Sequence, residues 1–288
     1  MLGRFFEKCR QKMFSLRRAD EKVDSRKHRN MEQTKKKRYH ILDSIRGITL
    51  ISMIGFHTVW DLVYIFDVNW VWYETPIAYI WQQSICWVFI ALSGFCWSLG
   101  RHKLRRGLTV LTAGFLVSLV TEVFMPDQII RFGVLTLLGC SMLLMIPLDR
   151  LFIKKEKVSV AAGLIVSLLA FCITRNVNDG SLGFESLELA KLPRALYQMG
   201  DAGNFLGFTE PRFYSADYFS LIPWFFLFLA GYFGYHWAMK SGALEKAAAL
   251  KPLPKLFGWV DFMGKHSLII YMLHQPVIYG VLYLIFEL

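Results

Sequence analysis

Seven long apolar stretches leave this 288-residue chain little choice of fold. They run at about 41–66, 77–99, 106–125, 131–148, 157–174, 218–239 and 266–286. A hydrocarbon core about 30 Å thick needs roughly 20 mostly apolar residues per helical crossing. Inside that core every backbone N–H and C=O must be satisfied within the segment itself. The expected architecture is therefore all-α, a polytopic membrane helix bundle of about seven transmembrane helices. Composition agrees: 55% of residues are apolar, 19% are charged, and mean hydropathy is +0.37. That apolar content excludes a disordered chain.

The net charge of +11 points at first to nucleic acid, but its location argues against that partner. Residues 1–40 carry 14 Lys/Arg against 5 Asp/Glu, and the remaining 248 carry 19 against 17. A near-neutral apolar body preceded by a basic arm reads as a membrane protein with a cytoplasmic N-terminal segment. Two units follow: the arm at 1–40 and a membrane domain at 41–288. Within the arm, Met31 reads as the start, with 1–30 as a separate polar extension. The first 40 residues lack the apolar core of a cleavable signal peptide. Basic loops alternate with acidic ones. Arg101, Lys103, Arg105 and Arg106 follow the second stretch, and Asp149, Arg150, Lys154, Lys155 and Lys157 follow the fourth. Lys240, Lys246, Lys251 and Lys255 follow the sixth, whereas Asp67/Glu74 and Glu122/Asp127 fill the intervening turns. By the positive-inside rule the N-terminus lies inside and the C-terminus outside, which an odd number of spans requires. The expected location is the plasma membrane.

Ionisable residues within such stretches are costly and therefore informative. The first stretch holds Asp43, Arg46, His57 and Asp61 at offsets 0, 3, 14 and 18. At about 100° per residue these fall within a wedge of roughly 60°, with Asp61 about 27 Å along the axis from Asp43. One face thus carries an inner Asp/Arg pair, read as a gate or an ion pair with other helices, and an outer His/Asp pair. His57 and Asp61 are i and i+4, a spacing at which a carboxylate orients an imidazole as a general base. A histidine that merely satisfies a core hydrogen bond is the competing reading.

Other stretches add polar groups at matching depths. Gln82, Gln83 and Ser84 open the second stretch from the outside, as substrate ligands or as interhelical hydrogen bonds. Arg131 at the outer end of the fourth reads as an anion clamp or a snorkelling cation. Asp217-Tyr218 and Pro223-Trp224 open the sixth. His274, followed by Gln275-Pro276, lies near mid-membrane in the seventh. Trp70, Trp72, Tyr73 and Trp81 read as an outer aromatic belt with no chemistry. The long connection at 175–217 is expected to contain an interfacial helix over Glu185–Met199, interrupted by Pro193. Cys86, Cys96, Cys140 and Cys172 read as small buried hydrophobes, with Cys9 in the arm. No CxxC spacing or Cys/His metal signature appears, so no metal is expected. Motifs of serine hydrolases, P-loop ATPases, zinc peptidases and dinucleotide-binding enzymes are missing from the sequence.

The runs RYHILDSIRGITLISMIGFH, WQQSICWVFIALSGF, RFGVLTLLGCSMLL and GKHSLIIYMLHQPVIY resemble the bacterial branch of the heparan-alpha-glucosaminide N-acetyltransferase catalytic-domain family. The last run is also similar to membrane acyltransferases that modify cell-surface sugars. The resemblance covers about 38–288. It implies transfer of an acetyl group from cytosolic acetyl-CoA to an amine or hydroxyl of a sugar-like acceptor across the membrane. In lysosomal members the implicated histidine lies in the first far-side loop; here that loop, 67–76, has none, and the nearest histidine is His57. On this reading His57 and Asp61 are catalytic, and Gln82, Gln83, His274, Gln275 and Arg131 contact the acceptor or the oxyanion. Arg101, Lys103, Arg105 and Arg106 meet the phosphates of acyl-CoA, although the positive-inside rule also accounts for them. The lipid bilayer and a second copy of the chain, as a homodimer, are further expected partners. The rival functions are a small-molecule transporter or lipid-binding membrane protein, which would use the same polar stripe as a path, and a non-catalytic subunit.

Overall fold

The computed structural model describes residues 39–152, 159–249, 254 and 257–286. The arm up to residue 38, with Cys9 and Met31, lies outside the described residues, as do Lys154, Lys155, Lys157, Lys251 and Lys255. The described chain forms ten α-helices and one small hairpin. In order these are α1 (His40–Tyr64), α2 (Pro76–Trp97), α3 (Lys103–Phe124), α4 (Val134–Phe152) and α5 (Val160–Ile173). They are followed by β1 (Ser181–Phe184), β2 (Leu187–Lys191), α6 (Gly200–Leu206), α7 (Leu221–Lys240), α8 (Ala243–Ala249), α9 (Gly258–Lys265) and α10 (Ser267–Phe286).

A helix lies in each of the seven apolar stretches. Five of them, α1, α2, α3, α4 and α10, are long and apolar enough to cross a membrane. Helix α5 has 14 residues, about 21 Å at 1.5 Å per residue and short of a full crossing. Helix α7 has 20 residues but includes Tyr232, Tyr235, His236 and Trp237, and it forms the middle of the bundle. Trp224, Leu227, Phe228, Tyr232 and Phe233 of α7 are buried together with Ile90, Trp97, Leu137, Met145 and Phe171.

Bringing such helices together is a problem in itself, because lipid chains are as apolar as leucine and burial alone does not drive association. Glycines solve it here by letting backbones touch. A Cβ placed on Gly94 of α2 would lie 1.9 Å from the Phe228 carbonyl oxygen of α7. A Cβ on Gly231 of α7 would lie 1.9 Å from the Ala91 carbonyl oxygen of α2. The two helices thus present a glycine and a carbonyl to each other reciprocally, at the range of Cα–H···O contacts. The same exchange joins α1 to α9: Gly47 meets the Val260 carbonyl (2.1 Å) and Gly264 meets the Asp43 carbonyl (1.9 Å). Gly139 of α4 rests on Leu111 of α3, and Gly163 of α5 rests on the Phe233 ring.

The connection at 175–217 departs from the expected helix. Leu187–Lys191 is a strand paired antiparallel with Ser181–Phe184, in the register Ser181↔Lys191 and Phe184↔Leu187. The reason is local. Glu185 turns the chain at φ 50°, and Gly183, at φ 152°, sits where a Cβ would strike the Leu187 carbonyl at 2.0 Å. Leu187 and Leu189, spaced by two, have the period of a strand. Pro193 does end the element, capping a 3₁₀ turn over Arg194–Gln198. Three further boundaries move. Helix α3 begins at Lys103, so Lys103, Arg105 and Arg106 belong to its first turn rather than to a loop. Helix α4 begins at Val134, leaving Arg131 outside it. The seventh stretch is preceded by a separate helix, α9, too short to stand out as an apolar run.

The reciprocal glycine contact makes a direct prediction. Gly94→Ala and Gly231→Ala should each destabilise the purified protein by about 1–3 kcal/mol through overpacking. Gly280→Ala, where nothing lies within 4 Å of the new methyl, should be neutral or mildly stabilising. Thermal unfolding in detergent reads the difference; equal melting temperatures for all three would refute the packing argument.

Candidate functional site

The polar stripe of α1 meets a second polar stripe on α10. Tyr271, His274 and Gln275 are i, i+3 and i+4, so they share one helical face. The Asp61 side chain is fully buried, and its Oδ1 accepts a hydrogen bond from Gln275 Nε2 at 2.7 Å. The His57 and His274 rings stand 4.9 Å apart, tilted by 57°. His274 Nδ1 is bonded to the Tyr271 carbonyl one turn back. A carbonyl oxygen only accepts, so Nδ1 carries the proton, and in the neutral ring Nε2 holds the lone pair.

Four polar atoms in this region are buried without a hydrogen-bond partner among the described residues: Asp61 Oδ2, His274 Nε2, Gln275 Oε1 and the Tyr73 hydroxyl. Buried polar groups are nearly always paired, and unpaired ones need an explanation. Tyr73 comes from the 3₁₀ turn Val71–Glu74 that follows α1, and its ring packs on Phe56 at 5.6 Å. Burial, with Tyr64 and Asp61 nearby, pushes its hydroxyl above the ordinary phenol range. In sequence Tyr73 reads as part of an outer aromatic belt; the turn instead folds it inward.

The sequence-derived pairing of His57 with Asp61 takes a different form here. The hydrogen bond made by Asp61 comes from Gln275, and His57 faces His274. The remaining residues are placed as follows. Gln83 is half-buried and accepts from Trp87 Nε1 and from an Arg175 guanidinium nitrogen, both at 3.1 Å. Gln82 is exposed. Trp81 rather than either glutamine reaches α1, donating to Ser52 Oγ at 2.8 Å. Arg131 is exposed, and its backbone exchanges hydrogen bonds with Ser215. At the other end of α1, Arg46 pairs with Asp43 at 3.4 Å, donates to the Gly264 carbonyl at 3.2 Å and contacts Cys96 Sγ at 3.0 Å. Ser44 and His40 both reach the buried Asp261 of α9. These contacts make that end of α1 a structural tie between α1, α2 and α9.

The four cations assigned to acyl-CoA differ in their surroundings. Lys103 pairs with Asp149 at 3.2 Å and lies 3.6 Å from the Trp97 ring centre. Arg106 is half-buried against Gly100, whose added Cβ would strike the guanidinium. Arg101 and Arg105 are exposed, and Arg105 lines an open groove of about 460 Å³ along α3 with Leu104, Leu108, Thr109 and Thr112. Of the cysteines read as buried, Cys96 is buried, Cys86 and Cys140 are half-buried, and Cys172 is exposed on α5. No group of three His, Cys, Asp or Glu among the described residues is arranged to hold a metal ion.

A second polar cluster went unread in the sequence. Arg175 pairs with Glu185 at 3.2 Å, donates to the Tyr79 hydroxyl at 3.1 Å, and lies 5.0 Å from the Trp224 ring centre. Tyr79 in turn donates to Glu185. This cluster pins the hairpin to α2. Its members are far apart in sequence, so no local pattern announced it.

Comparison with curated proteins and with solved structures returns no match. Comparison with protein families does. The model described as heparan-alpha-glucosaminide N-acetyltransferase, catalytic, matches residues 38–276. That match runs from just before α1 to Pro276 of α10 and encloses His57, Asp61, His274 and Gln275, so the chain belongs to the heparan-alpha-glucosaminide N-acetyltransferase catalytic family, a family of membrane acetyltransferases.

Proposed function

We propose that this protein is an integral membrane acyltransferase. It moves an acetyl group from cytosolic acetyl-CoA to an amine or hydroxyl of a cell-envelope sugar or similar acceptor on the outer side. The observation that carries this reading is the facing His57–His274 pair beside the Asp61–Gln275 hydrogen bond, with unpaired polar atoms buried around it. An imidazole with its Nδ1–H held and its Nε2 lone pair open is equipped to take a proton from an acceptor N–H or O–H. As that proton leaves, the acceptor atom bonds to the thioester carbonyl carbon. The C–S bond of the tetrahedral adduct then breaks, and the CoA thiolate departs and is reprotonated. His57 shares the proton with His274, and the Asp61 carboxylate stabilises the imidazolium charge that results. Gln275 orients Asp61. Arg106, half-buried at the start of α3, and exposed Arg101 and Arg105 face the donor phosphates, while Asp43 and Arg46 shape the inner mouth.

Two expected outcomes follow. Purified protein given labelled acetyl-CoA and amino-sugar acceptors should form acetylated product. His57→Ala and Asp61→Asn should each lower turnover about 100-fold or more. Normal turnover in both variants overturns the residue roles, and lack of acyl-CoA binding under all conditions overturns the class. The orientation is tested separately in a background without native cysteines. A cysteine at Asp201 should react with a membrane-impermeant maleimide on intact cells, and one at His102 only after permeabilisation. The reverse pattern would invert the topology and the side on which each substrate binds.

A further inference from the structure

Helix α10 is held to the bundle in an unusual way. Among its described residues only Ile278 and Leu282 are buried, while Ile269, Val277, Leu284 and Ile285 are all more than half exposed. Burial of apolar surface does not set how such a helix is rotated about its axis in lipid, since either face is equally content there. Beside the packing of Ile278, Leu282 and the Phe66 ring on Tyr279 and Phe286, polar contacts fix its rotation. Tyr271, His274, Gln275, Ile278 and Leu282 lie at i, i+3, i+4, i+7 and i+11, a single stripe. Gln275 and His274 bind that stripe to α1. Tyr271 binds it to something else: its hydroxyl donates to Asp217 Oδ2 at 3.4 Å.

Asp217 is itself fixed. It lies in the chain leading into α7, and its Oδ2 also accepts from the Val134 backbone N–H at the start of α4, at 3.4 Å. A carboxylate is favourably placed at a helix N-terminus. Gly133 makes room for it, since a Cβ there would lie 3.1 Å from Asp217 Oδ2. The adjoining cavity, bounded by Gly133, Val134, Thr136, Asp217 and Tyr271 among others, is about 10 Å³. That is no more than one water molecule's worth of space, so bulk solvent cannot substitute for either partner. Burial raises the Asp217 carboxyl, and the Val134 N–H and Tyr271 hydroxyl oppose the rise. On its other side the Tyr271 ring stacks on Phe89 at 6.0 Å and touches the His274 ring at 5.2 Å.

We propose that Asp217 and Tyr271 are positioning residues for His274: the carboxylate anchored at the α4 N-terminus holds the tyrosine hydroxyl and thereby sets the rotation of α10 that brings His274 against His57. The inference rests on the acyltransferase reading for its catalytic consequence, but its structural content stands apart from it. The aspartate acts on no substrate. It links α4 and α7, which belong to the buried core, to the peripheral helix that carries half of the polar site.

The test uses the full-length protein in nanodiscs, with native cysteines replaced and nitroxide labels on cysteines at Val166 of α5 and Val281 of α10, both exposed. Pulsed dipolar spectroscopy should give one narrow distance for the unsubstituted chain and for Asp217→Asn, which keeps an acceptor oxygen. Tyr271→Phe and Asp217→Leu should broaden or shift it. In parallel, Tyr271→Phe should lower kcat about tenfold or more with KM for acetyl-CoA within about twofold, as expected for a misplaced group. An unchanged distance in Tyr271→Phe, the variant least expected to disturb folding, overturns the positioning role. So does a lower kcat in Tyr271→Phe that Asp217→Leu fails to reproduce in folded protein. A shifted distance in a chain whose unsubstituted form transfers no acyl group supports the positioning role while overturning the acyltransferase reading.

Discussion

The backbone-to-backbone contact between α2 and α7 is the constraint on which the rest of this structure depends. Helices surrounded by lipid gain little from apolar burial, so close approach and dispersion must hold them. Gly94 and Gly231 each receive the other helix's carbonyl, at positions where any Cβ would fall inside contact distance. With α7 fixed in this way, α5 packs on it through Gly163 against Phe233, and the aromatic core of Trp97, Phe171, Trp224 and Tyr232 fills in. The reciprocal exchange between α1 and α9 then sets the depth of the first polar stripe.

Against that rigid frame α10 is the exception. Its attachment combines a narrow packed stripe with polar contacts, Tyr271–Asp217, Gln275–Asp61 and the histidine pair. A helix attached in this manner is sensitive to the state of the groups that attach it. Filling the unpaired positions on Asp61, His274 and Gln275 with a ligand adds interactions at the seam between α1 and α10. Site and seam are therefore one object, and ligand binding and the placement of α10 are coupled through the same few atoms.

Parts of this were legible in the sequence for plain reasons. A helix in each of the seven apolar runs follows from hydropathy, although only five among the described residues are long and apolar enough for a bilayer; the α1 stripe follows from the helical period. His274 and Gln275 stood out because polar groups in an apolar run are costly. Leu187–Lys191, the second strand of the hairpin, reads in sequence as part of a helix over Glu185–Met199 because Leu187, Leu189, Leu192 and Leu196 mimic an amphipathic spacing. The positive φ at Glu185 and the role of Gly183 belong to a turn that only the folded loop reveals. Tyr271 was passed over because a tyrosine in an apolar helix looks like filler. Its i, i+3 relation to His274 was the available signal. Asp217, noted only as the opening of a stretch, has partners about 54 and 83 residues away in sequence.

Residue type and periodicity by themselves determined that the chain is a bundle of membrane-type helices with a His/Asp face on the first, because both are properties of single segments. Family membership was visible in the same way, through local runs. Which groups those side chains meet was decided only by tertiary structure. Asp61 is one turn from His57 in sequence, yet its hydrogen bond goes to Gln275, because the crossing of α1 and α10 brings the amide to the carboxylate and the second imidazole to the first. An i, i+4 spacing makes a contact available, but the neighbouring helix decides whether it is the one that forms.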